Sequence, residues 1–199
     1  MASPQQSAAK GGLNVVAHSA ARTRVLDAAL DLFAQHGVSG TSLQMIADAV
    51  GITKAAVYHQ FRTKDQIVIA VTERELGRLA PALEEAEEHG DGSQARDALL
   101  VSTIEMAVRD RRLVRTLQFD PVVVRLLAEH EPFQRFMDRL YRVLLDDTDE
   151  DTRIAGAMFS GAVSSAVMHP LVADIDDDTL QKRLTDLSRR LLGLPRARN

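Results

Sequence analysis

At 199 residues, 45% hydrophobic and 26% charged, the chain is long enough for one sizeable core or two small ones, and its composition excludes disorder as the default. It has no cysteine, which excludes a disulfide framework, thiolate metal sites and thiol redox sensing and fits a reducing cytoplasm. The net charge of −4 is unevenly divided: residues 1–66 carry six basic and four acidic side chains, a net +2, and residues 67–199 carry 18 and 24, a net −6.

Residues 1–18 mix Ser, Gln, Gly and Ala with Lys10 as the only charge and no sustained apolar run, which predicts a disordered tail rather than a secretory leader. From Ser19 to Gln35, Val25, Ala28, Ala29, Leu32 and Phe33 recur at helical spacing and predict the core stripe of a first helix. Arg22 and Arg24 near its start are secondary candidates for phosphate contact.

Residues 41–64 carry the most information. Thr41 followed by Gln44 fits a capping box, and Leu43, Ile46, Ala47 and Val50 give the short helix after it a buried face. Gly51 ends that helix, and Thr53 caps a second that starts at Lys54. Val57 and Phe61 face inward four residues apart, which leaves Lys54, Ala55, Ala56, Tyr58, His59 and Gln60 on the other sides. Two short helices around a tight turn, with one polar, aromatic-tipped face free, predict a helix-turn-helix that enters a DNA groove. Lysine and tyrosine reach phosphates, glutamine bonds an adenine edge, and small alanines allow close approach. Thr63 caps the next helix with Gln66 three residues on, so Lys64 stands at a helix N-terminus, a favourable phosphate site. The predicted DNA contacts are Thr41, Thr53, Lys54, Ala55, Ala56, Tyr58, His59, Gln60 and Lys64, a discrete set rather than a broad basic surface.

Beyond Lys64 a helical pattern runs to about His89 through Gly77 and Pro81, so this helix either ends near Ala80 or bends there. Further helices are predicted at about 93–117, 121–129, 132–146, 151–170 and 177–192, with no alternating strand pattern. The fold class is therefore all-α, an N-terminal three-helix unit at 19–66 joined to a larger helical domain at 67–199. Met106, Leu117, Phe119, Phe133, Phe136, Met137, Tyr141, Met158 and Phe159 supply soft and aromatic side chains for an apolar ligand cavity in that domain. Arg109, Arg111, Arg112 and Arg115 read as a solvated face, or as partners for an anionic end of the ligand.

The 22–68 stretch, RTRVLDAALDLFAQHGVSGTSLQMIADAVGITKAAVYHQFRTKDQIV, resembles the DNA-binding domain of the tetracycline-repressor (TetR) family in order and spacing. The resemblance lies in Leu32 and Phe33, the Gly37 turn, Ile46 and Ala47, Gly51, the Val57-Tyr58-His59 step, Phe61 and Lys64. Ala55 and Gln60 depart from the glycine and second histidine of many members. The resemblance implies a homodimer on a palindromic operator, a repressor released by a small, largely apolar effector. It also implies dimerisation through residues of about 151–192, where Ala155, Gly156, Ser160, Gly161, Ala162, Ser164 and Ser165 precede a last helix bearing Leu180, Leu184, Leu187, Leu191 and Leu192. The alternative is a helical ligand-binding or scaffold protein without operator binding.

No membrane span is expected, because the longest apolar run, Ile154 to Met168, is interrupted by serines and falls short of about 20 residues. Cofactors and metals are not expected either. The alternating aspartates at 147, 149 and 151 and at 174, 176 and 178 lack the glycine and terminal glutamate of a calcium loop and read as loops and helix caps. His89, His130 and His169 have no helical partner for zinc. No nucleophile elbow, Walker A or dinucleotide loop is present, and the chain reads as a non-enzyme.

Overall fold

The computed structural model describes residues 19–88, 93–145 and 149–194. Every regular element among them is helical. The predicted tail at 1–18, His89 and Asp147 lie outside the described residues.

The N-terminal unit comprises α1 (Ala20–Gly40), α2 (Leu43–Val50) and α3 (Lys54–Gln60), followed by α4 (Lys64–Leu76). Side-chain oxygens start each of them. Ser19, Ser42, Thr53 and Thr63 accept from the amides of Arg22, Met45, Ala56 and Gln66, which satisfies donors that a helix start leaves orphaned. Gly51 closes α2 in the left-handed region at φ 75°, where a Cβ is disfavoured. Gly37, at φ 72°, interrupts α1 in the same way.

Two details differ from the sequence reading. The α2 cap is Ser42, because Thr41 is turned inward and donates its hydroxyl to the Gly37 carbonyl at 2.8 Å; Gln44 instead donates to Asp48. The α1 stripe is centred on Leu26, Ala29, Leu30 and Phe33, with Ala28 and Leu32 only half-buried, since neighbours pack on both flanks of the helix.

The reading of residues 64–89 resolves at Gly77. The helix tightens into a 3-10 turn at Gly77–Leu79 and resumes as α5 (Ala80–Glu88), with Pro81 in its first turn. Proline has no N–H for the Gly77 carbonyl four residues back, and Ala80 supplies that bond instead. The helix predicted at 93–117 is two, α6 (Ser93–Arg109) and α7 (Arg111–Phe119), broken at Asp110, whose carboxylate caps α7 through the Leu113 amide at 3.1 Å. Then come α8 (Pro121–Glu129), α9 (Glu131–Leu145), α10 (Glu150–Met168) and α11 (Asp177–Leu191). Asp149 and Asp176 cap α10 and α11, as their spacing suggested.

Two cores form. One gathers Leu26, Phe33, Ile46, Val57 and Phe61 with Ile67, Val68 and Val71 of α4, and is completed by Leu113 of α7 and Val123 and Leu127 of α8. The other fills the C-terminal bundle around Leu83, Leu99, Ile104, Phe136, Leu144 and Phe159. The 66/67 division therefore falls inside α4, whose first turns belong to the N-terminal core. Arg74 ties α4 to α1 by bonding the Thr23 carbonyl and the Asp27 carboxylate, and it also pairs with Glu75, an acid only 1% exposed that Arg78 helps to neutralise.

The small residues of α10 split between two faces. Gly156 lies against Leu145, where a Cβ would stand 2.7 Å from a methyl group, and Ser164 is buried. Gly161, Ala162 and Ser165 point outward with Ile154, Ala157, Met158 and Met168.

Candidate nucleic-acid interface and effector cavity

The α3 helix is held by its apolar side, with Val57 and Phe61 buried in the N-terminal core. Its remaining face is bare. Thr53, Lys54, Ala55, Tyr58 and His59 are exposed, Tyr58 by 48%, and Ala56 is half-buried. The Arg62 guanidinium stacks 5.2 Å from the Tyr58 ring centroid, adding a cation beside the aromatic tip. Arg62 was not among the predicted contacts; its spacing of four from Tyr58 was the available signal.

The other predicted contacts are placed differently. Thr41 is buried at 2% exposure and bonds the α1 backbone. Gln60 is half-buried, with its amide oxygen enclosed and unpartnered. Lys64 directs its ammonium inward, where it donates to the carbonyls of Val38 and Thr41 at 2.7 Å each, so its charge holds the turn between α1 and α2. Arg22 lies with its guanidinium 4.4 Å from the centre of the Phe61 ring, bracing α1 against the end of α3.

In the bundle, α4, the 3-10 turn, α6, α7, α9 and α10 enclose a cavity of about 130 Å³. Met106, Leu117, Phe133, Met137, Tyr141 and Phe159 line it. Three expected members do not. Phe136 is wholly buried in the core, and Phe119 and Met158 are each 56% exposed, because their helical phase turns them to the outer surface. The remaining wall includes Leu113, also soft and apolar, with Ala107 and Val114, and with Ser160 and Ser164, which the sequence reading placed among the small residues of the dimerisation helix.

Among the described residues none that lines it is charged. Thr103, Gln118, Tyr141, Ser160 and Ser164 are the polar ones, and Thr103 already donates to the Leu99 carbonyl. The arginine run lies elsewhere: Arg109 pairs with Glu105, Arg111 with Asp177 and Arg112 with Asp31 and Asp110, while Arg115 is exposed. Hydrogen bonding to Asp31 raises the Arg112 pKa further above its already high range. Among the described residues no group of three His, Asp or Glu is placed to hold a metal ion, and no helix is long and apolar enough to cross a membrane.

Residues 25–71 match the family described as bacterial regulatory proteins, tetR family. The HTH-type transcriptional regulator AcrR of Shigella flexneri is 37% identical over 94 residues, 46% of this chain and 43% of that protein. The HTH-type transcriptional repressor KstR2 of Rhodococcus jostii (strain RHA1) is 36% identical over 90 residues, 45% of this chain and 44% of its own length. The matched stretch spans less than half the length of either relative. A crystal structure of a TetR-like transcriptional regulator from Rhodococcus sp. RHA1 superposes with a TM-score of 0.67 at 22% identity, covering 89% of this chain and 98% of that one, a likeness of fold.

Proposed function

We infer that this chain, which belongs to the tetR family through its N-terminal domain, is a sequence-specific DNA-binding transcriptional regulator: a homodimeric, cytoplasmic repressor released from a palindromic operator by a small, largely apolar effector. The observation that carries this reading is the bare face of α3. A helix anchored by Val57 and Phe61 presents Lys54, Ala55, Tyr58 and His59 outward, together with an arginine stacked on Tyr58. That is the surface a recognition helix needs: small residues for approach to base edges, with flanking cations and a phenol for phosphates.

Dimerisation is supported by the outer face of α10. Ile154, Ala157, Met158, Gly161, Ala162, Ser165 and Met168 form one exposed stripe three and four residues apart, and Leu187 of α11 is 53% exposed. A Cβ on Gly161 would meet nothing within 4 Å in the single chain, so this glycine answers no need of the protomer's own packing, whereas a partner helix crossing there would exploit it. A dimer gives two recognition helices roughly 34–36 Å apart, one turn of duplex. The uncharged lining of the cavity supports an apolar, neutral effector over an anionic one.

Selection of bound duplexes from a random pool tests the reading. An enriched inverted repeat is expected. Failure of the folded protein to enrich any sequence at low salt would overturn operator binding and leave a helical ligand-binding or scaffold protein.

A further inference from the structure

The two cores meet at α7. Leu113 belongs to the N-terminal core and its neighbour Val114 to the bundle core, and both line the cavity with Leu117 and Gln118. α7 therefore lies between the cavity and the N-terminal core, as does α4, whose Leu76 also lines the cavity. At about 130 Å³ the cavity is smaller than the roughly 300 Å³ at which ligand sites begin, and it is partly open to solvent, so an effector of ordinary size either protrudes from its mouth or displaces a wall.

Asp120 stands immediately after α7, and its carboxylate oxygens have separate tasks. Oδ1 accepts from the amides of Val122 at 2.9 Å and Val123 at 3.3 Å and caps α8. Oδ2 accepts from the Val38 amide at 2.7 Å, 82 residues away in the chain. The Val38 carbonyl in turn accepts from Lys64, whose ammonium also holds the carbonyl of Thr41, the residue before the α2 cap. The turn closes on this carboxylate, since a Cβ on Gly37 would stand 3.3 Å from Oδ2. A part-buried amide held by a carboxylate is a charge-assisted bond, whereas the other polar link from α7 to α1, Arg112 to Asp31, is an exposed ion pair of little worth.

We propose that Asp120 is the positioning residue that couples the cavity to the recognition helix. An occupant that moves α7 draws the carboxylate away from Val38 and frees the turn that Lys64 holds ahead of α2. This rests on the operator-release reading above, and the test separates the two.

Asp120→Ser keeps an oxygen for the α8 cap but is too short to reach Val38, and Asp120→Asn keeps one acceptor for the cap but sets an NH2 donor against the Val38 amide, so both variants remove that bond. Ala107→Phe fills the cavity as a built-in occupant. On the selected duplex, Ala107→Phe is expected to weaken binding about tenfold or more with Asp at position 120, and by no more than about twofold with Ser or Asn there. The same fold-loss on all three backgrounds would overturn the coupling. Amide hydrogen exchange of Val38 gives a readout without DNA: Ala107→Phe is expected to speed it, and unchanged protection would sink the proposal whatever the duplex results. If no duplex is enriched yet Val38 responds, operator binding fails and the coupling stands. Should Ala107→Phe not fold, Ser160→Leu fills the same cavity from the half-buried face of α10.

Discussion

The N-terminal unit and the C-terminal bundle are built from the same kind of capped, amphipathic helix, yet they use their polar residues in opposite ways. In α2 and α3 the helices are so short that one or two fully buried residues, Ile46 and Ala47 in α2 and Val57 in α3, fix the whole element, and most of the polar side chains are presented outward. In the bundle each helix has neighbours on several sides, so what a side chain faces depends on contacts distant in sequence. Lys64 and Asp120 sit where the two regimes join, and both are spent on backbone groups of the α1–α2 turn. The exposed face of α3 thus rests on half-buried polar groups that hold backbone elsewhere in the fold.

The sharpest way to break this contrast is a cavity in the bundle. Phe136 is fully buried, and Phe136→Ala should cost about 3–5 kcal/mol. Because Met106, Leu117 and Phe133 pack against both cores, calorimetry should show one transition moved down as a unit. Two separated transitions would mean the regions are independent after all.

Lys64→Met tests whether that ammonium serves the fold. It removes the ammonium from the Thr41 carbonyl and leaves the Val38 carbonyl with only the Thr41 amide at 3.3 Å, and should destabilise the chain by about 1–3 kcal/mol, while the dependence of operator affinity on salt keeps its slope. A slope flattened by about two units, one per protomer, would instead reveal a phosphate contact. Lys54→Ala should behave in the reverse manner, with thermal stability unchanged and the salt slope of the dimer reduced by about 1.8. Loss of the α3 cap in Thr53→Ala should cost about 1 kcal/mol, seen as an earlier denaturant midpoint.

The smallest effect belongs to the bundle surface. Arg139 donates twice to Glu87, at 2.8 and 2.6 Å, and this bonding holds the Glu87 carboxyl below its usual range. A depressed carboxyl stabilises the fold above the ordinary carboxylate range, and the contribution fades as pH falls through the lowered value. Arg139→Gln should therefore lower stability at neutral pH and make the acid limb of its pH profile shallower, a change to be read by denaturant titration.

These differences also explain what was legible in the sequence. The caps at Ser19, Thr53 and Thr63, the Gly51 turn and the inward pair Val57 and Phe61 are local, and each could be read within four residues. Ser42 was missed in favour of Thr41 because both are competent caps and only the approach of α1 turns one inward. The cavity was half legible: six of the aromatic, thioether and leucine positions line it, but Phe119 and Met158 point away, Ala107 carries no compositional signal, and Ser160 and Ser164 read only as close-packing residues. Nothing in the sequence joins Asp120 to Val38, since its spacing from Pro121 and Val123 announces only a helix cap.

The dependence of the first core on α7 and α8 has a consequence for how the protein is made. A nascent chain that has emerged only as far as residue 71 has the recognition helices in hand but lacks Leu113, Val123 and Leu127, and its Val38 amide has no carboxylate to meet. The N-terminal unit must therefore wait for the second half of the chain to complete its core, and a message cut short between the two would yield a fragment with an open apolar flank rather than a self-contained domain.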